Sequence, residues 1–118
     1  MKLYGIPNCN TVKKARDWLD TNGIPVEFHD FKKHGLDPRT VENWLKQADW
    51  PTLINRKGMT WRKLPEQRRQ LVHDAPAALV LMLEHNSVIR RPMLEQNGTL
   101  LHVGFDESAY STLFNLPS

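Results

Sequence analysis

A chain of 118 residues, 40% hydrophobic and with a formal net charge of +3, has room for one domain with a real core and not for two. It has no apolar run long enough to span a bilayer, no low-complexity tract and no internal repeat, and its start lacks the apolar stretch of a signal peptide. A single cysteine excludes an internal disulfide and fits a reducing cytoplasm, while so mild a charge argues only weakly for an anionic partner.

Residues 2–5 read as a strand. From Thr11 to Asn22, Val12, Ala15, Trp18 and Leu19 recur at helical spacing, and Gly23 is a natural stop. Pro25 to Phe31 alternates, with Val26 and Phe28 on one face and Glu27 and His29 on the other, as a second strand does. So compact a strand–helix–strand unit predicts parallel pairing with a right-handed crossover. Asp37 and Pro38 supply the cap and first position of a helix carrying Val41, Trp44, Leu45 and Ala48. Pro51 interrupts it, Leu53 and Ile54 fit a short further helix, and Asn55–Gly58 is a polar turn. Leu64, Arg68, Leu71 and Val72 suit a helix starting near Pro65.

Asp74 caps the next helix, Ala75–His85, which is apolar on most sides and so is expected to be buried. Strands Met93–Gln96 and Thr99–Val103 flank Asn97-Gly98, the preferred type I′ hairpin pair, and are therefore antiparallel. Asp106 caps a last helix with Ala109, Tyr110, Leu113 and Phe114 facing inward. The order βαβ, helical middle, ββα is the plan of a thioredoxin-like α/β fold. It predicts one domain with a mixed four-stranded sheet, a core of residues 1–35 and 75–116, and a helical insertion at about 36–74.

Cys9 stands where the first strand turns into the first helix. A thiol there faces unpaired backbone N–H groups and the positive end of the helix dipole, both of which favour thiolate. A lone cysteine is most often a small buried hydrophobe. Here it lies in a turn, Pro7 stiffens the approach, and Lys13 and Lys14 fall in the first helical turn, which favours a reactive sulfur. Val12 stands where a second thiol of a C-x-x-C pair would be, so an external thiol must reduce any oxidised Cys9. Arg91, before Pro92 at a strand entrance, falls near the Cys9 end of the helix in this layout and could grip a carboxylate or oxyanion. Pro92 marks a strand start or, in the sharper reading, a cis peptide facing the thiol. The five histidines show no metal-ligand spacing, so no metal site is expected.

Taken together, Tyr4–Arg16, Phe28-His29-Asp30, Leu53–Gly58, Thr60–Leu64, Leu81-Met82-Leu83 and Ile89–Leu94 closely resemble the ArsC/Spx family over nearly the whole chain. The likeness is strongest to its YffB-like single-cysteine branch, associated with glutathione-dependent thiol reduction. The resemblance implies Cys9 as redox nucleophile, Arg56 and Arg91 as anion-binding arginines, and Pro92 at the cis-proline position, with Asn10, Thr11 and Lys13 supporting. It also implies no bound cofactor, glutathione as co-substrate, and glutathione or glutaredoxin as partner to a small anionic or disulfide substrate. A cytoplasmic monomer without membrane or direct nucleic-acid partners completes the expectation.

Two departures bear on substrate. The third arginine of the arsenate reductases falls at Gly104, and their histidine ahead of the cysteine falls at Gly5. Losing both leaves arsenate charge less well balanced, which argues against efficient arsenate reduction. Asn10 replaces an aspartate common in the branch, and losing that charge favours thiolate. The dithiol of the Spx regulators is absent, which argues against a regulator that binds RNA polymerase. A monothiol oxidoreductase is therefore the leading expectation, with arsenate reductase and Spx-like regulator as alternatives.

Overall fold

The computed structural model describes residues 1–116. Its sheet has the order β2-β1-β3-β4, built from β1 (Lys2–Gly5), β2 (Glu27–Asp30), β3 (Met93–Gln96) and β4 (Thr99–Val103). β1 pairs parallel with β2 and antiparallel with β3, and β3 pairs antiparallel with β4. The expected mixed four-stranded sheet is therefore present. Asn97 and Gly98 adopt φ of 50° and 83°, the left-handed pair that a type I′ turn requires.

The chain forms two compact units, Met1–His34 together with Arg91 onward, and Gly35–Arg90. In the first, helix α1 (Asn10–Thr21) buries Val12, Ala15 and Leu19. Leu3, Ala15, Leu19, Leu94 and Tyr110 form its fully buried cluster, with Trp18, Phe28, Phe105 and Phe114 packed around it. Each Leu-sized side chain so buried contributes roughly 1.5–3 kcal/mol. β2 is shorter than the alternation predicts. The Asp30 carboxylate accepts hydrogen bonds from the N–H groups of Lys32 and Lys33, at 3.0 and 3.2 Å, and turns the chain into the short helix α2 (Phe31–His34).

The second unit holds α3 (Pro38–Gln47), α4 (Trp50–Leu53), α5 (Met59–Lys63), α6 (Glu66–Gln70), α7 (Ala75–Glu84) and a 3-10 turn at Asn86–Val88. α3 buries Val41 and Trp44 and packs against α7, which buries Ala78, Leu81 and Met82. The expected boundary at 74/75 is corrected accordingly. α7 belongs with the helical unit, and Ile54 bridges to Ile89, so the insertion runs to Arg90. Burial of α7 is also less complete than its composition suggests, since Val80 and Leu83 are 50% and 37% exposed.

The last helix, α8 (Glu107–Leu113), is capped by the Asp106 carboxylate, which accepts from Ser108 N–H and Ala109 N–H. Its inward face differs from expectation. Tyr110 and Ser111 are buried, whereas Leu113 is 41% exposed.

Candidate functional site

Cys9 is the N-cap of α1. Its backbone is extended (φ −93°, ψ 125°), its carbonyl accepts from Lys13 N–H at 2.9 Å, and its own N–H donates to Ile6 O at 3.2 Å. The peptide framework thus fixes the sulfur at the junction of turn and helix. The side chain is half-buried, neither sealed in the core nor fully solvated.

The thiol does not make the regular capping hydrogen bond that an Asp or Ser makes at such a position. Partial burial is the strongest single influence on its pKa and pushes it up. The N–H of Val12, hydrogen bonding and positive charge from Arg91, and the N–H of Thr11 together outweigh that, and the thiol is held below its ordinary value. The same groups that the helix leaves unpaired therefore serve the sulfur, as the sequence position implies.

Arg91, whose peptide bond to Pro92 is cis, stands at the entrance to β3, where Pro92 O accepts from Gly104 N–H at 2.8 Å. Cys9, Arg91, Pro92 and the first-turn amides of Thr11 and Val12 are thus brought together within one unit. Asn10 opens α1 and is exposed, and Thr11 contributes through its backbone. Lys13 is not among the groups that act on the sulfur. It borders an open cleft with Arg16, Asp17 and Phe28. Arg56 lies in the helical unit, in the turn closed by Gly58 N–H to Asn55 O at 3.2 Å, with its guanidinium 5.5 Å from the Trp50 ring centroid. No group of three or more His, Cys, Asp and Glu side chains among the described residues could hold a metal ion.

The sequence reading did not single out the Val12 amide. Its only trace there is position, three residues beyond the N-cap.

The ArsC family model matches residues 4–113. The chain belongs to the ArsC family. Among its relatives, an uncharacterized protein of Haemophilus influenzae is 38% identical over 95% of this chain and 96% of its own length. The solved structure of a YffB protein superposes with a TM-score of 0.88 at 42% identity, covering 95% of this chain and 96% of that one. An arsenate reductase-related protein from Brucella melitensis is 50% identical with a TM-score of 0.76, over 98% of this chain and 94% of that one. The global transcriptional regulator Spx 1 of Lactococcus lactis is more distant, 25% identical over 89% of this chain and 81% of its own. The ArsC-family chain thus has the thioredoxin-like fold of that family, and its relatives include both arsenate reductase-related proteins and regulators.

Proposed function

We propose that this ArsC-family protein is a monothiol oxidoreductase that uses Cys9 as nucleophile and glutathione as co-substrate. The observation that carries the proposal is the half-buried sulfur at the N-terminus of α1, with its pKa lowered by the Val12 amide and the Arg91 guanidinium. A thiol so placed ionises more readily than a free cysteine and is reachable.

In the proposed cycle the Cys9 thiolate attacks the glutathione sulfur of a mixed disulfide. The S–S bond breaks, the substrate leaves as a thiolate that takes up a proton, and Cys9 is left joined to glutathione. A second glutathione, as thiolate, attacks that disulfide, releasing oxidised glutathione and restoring Cys9. The net change is reduction of one substrate sulfur by one glutathione thiol, which leaves as a disulfide with the glutathione the substrate had carried. Arg91 balances charge at the sulfur and offers a planar fork for a carboxylate. The assignment of Arg56 to the anionic part of the substrate rests on the family resemblance. Glutaredoxin is the alternative source of the reducing thiol.

The test is turnover of a small glutathione mixed disulfide by glutathione, followed as release of the free thiol. Wild type is expected to accelerate the reaction, Cys9→Ser to abolish the acceleration, and Arg91→Ala to lower kcat/KM about tenfold or more, the scale of a lost charge-assisted hydrogen bond. Arg56→Ala is expected to raise KM. Absence of any Cys9-dependent acceleration would contradict the proposal. Cys9-dependent arsenate reduction at a comparable rate would move the assignment to an oxyanion substrate. The likeness to Spx favours one other reading, a regulator without turnover, to which a completely inactive but folded protein would point.

A further inference from the structure

Gly5 ends β1, on the strand face shared with Leu3, and that face looks onto α1. A Cβ at position 5 would stand 2.9 Å from Val12 Cγ2, 3.1 Å from Val12 Cγ1 and 3.4 Å from Phe28 Cε1. The first distance is well inside carbon–carbon contact. Gly5 is not among the glycines with positive φ, which are Gly23, Gly35, Gly98 and Gly104. Backbone conformation therefore does not demand glycine here, and the missing side chain does.

Val12 has no give. It is fully buried, and its branched side chain is stiff about χ1 in a helix. Moving its methyl groups away from β1 means moving its backbone, in the first turn of α1 beside Cys9. The N–H that would move is the foremost of the groups that stabilise the thiolate.

We propose that Gly5 is a positioning residue: the absence of a side chain leaves the first turn of α1 undisplaced by β1 and so keeps the Val12 N–H beside the Cys9 sulfur. This rests on the reading of Cys9 as the nucleophile and extends it to the residue that sets the sulfur's surroundings from behind the helix. Gly5 touches no reacting atom. Its effect passes through Val12.

The experiment is the rate of Cys9 alkylation by iodoacetamide as a function of pH in wild type, Gly5→Ala, Val12→Ala and the double variant. Gly5→Ala is expected to raise the midpoint by about one pH unit, a roughly tenfold loss of thiolate below it. Val12→Ala keeps its N–H and is expected to keep the wild-type midpoint, although it leaves a cavity and lowers stability. In the double variant the new Cβ meets no methyl group, so the midpoint is expected to return to the wild-type value.

A wild-type midpoint in Gly5→Ala would overturn the proposal. So would a shift in Val12→Ala as large as that in Gly5→Ala, since loss of packing alone would then explain both. If Gly5→Ala does not fold, the double variant decides: folded with a wild-type midpoint it supports the proposal, and unfolded it overturns it. A wild-type protein whose own midpoint is not lowered would instead remove the thiolate reading on which the inference rests.

Discussion

At the scale of single residues, Cys9 illustrates a contest whose winner is not fixed by burial. Desolvation disfavours the thiolate most strongly of any one influence, yet two backbone amides and one guanidinium acting together reverse the outcome. The position of Cys9 and the nearness of Arg91 follow from element order and residue type, whereas the cis Pro92 is one of two readings of that strand entrance, singled out by the family resemblance. The role of the Val12 amide and the closeness of Gly5 to Val12 were not legible in the sequence. Backbone donors look alike in a sequence, and an absent Cβ carries meaning only once a neighbour fills the space. Lys13 was expected to assist by proximity along the chain. Its charge sits at the end of a flexible, exposed stem, where solvent and ions damp its effect.

Tyr110 offers a residue-scale prediction of a different kind. It is fully buried, edge-on to Trp18, His102 and Phe105, and its hydroxyl has no hydrogen-bond partner among the described residues. Burial accordingly pushes its pKa well above the ordinary phenol value. A buried hydroxyl without a partner costs about 1–3 kcal/mol, so Tyr110→Phe is expected to leave stability unchanged or raise it by about 1 kcal/mol in urea unfolding. A loss of about 1 kcal/mol or more would show that the hydroxyl is satisfied after all.

At the scale of elements, capping explains both what was legible and the character of the site. Asp37, Asp74 and Asp106 each accept a hydrogen bond from a first-turn N–H, and each was recognisable as a cap from residue type. α1 differs, because it places a thiol where those helices place a carboxylate. Its first turn is thereby left to serve chemistry instead of being closed by a strong acceptor. Asp106→Ala is expected to destabilise the protein by about 1 kcal/mol, measured by chemical unfolding, with the Cys9 alkylation profile unchanged. A shifted alkylation profile would mean that α8 governs the thiol, contrary to this account.

The elements that escaped the sequence reading are short. α2 and α5 have too few residues for helical periodicity to register, although Asp30 ahead of Phe31 is a recognisable cap signal for α2. Leu113 was placed inward by spacing alone. Ser111 is buried instead, and Leu113, the last residue of α8, is 41% exposed.

At the scale of the whole molecule, the order βαβ, helices, ββα and the hairpin pair Asn97-Gly98 were sufficient to predict a mixed four-stranded sheet. The division into units was not recoverable to the same degree. α7 is apolar nearly all round, so its pattern gives no clue to which neighbours it prefers, and only the fold assigns it to the helical unit. What the sheet unit does accomplish is economical in sequence. Val12 and Arg91, 79 positions apart in the chain, converge on one sulfur.

The central claim is that this sulfur is ionised in the folded protein at pH values where a free cysteine is not. Because the folded-state pKa lies below the unfolded value, the thiolate is favoured by folding. The stabilisation is complete above the unfolded pKa and is lost as pH falls through the folded one. The direct measurement is the pH dependence of Cys9 alkylation in the native protein against the same protein in denaturant. The account predicts a native midpoint below that of the denatured chain and below ~8.5, and a native midpoint at or above ~8.5 would contradict it.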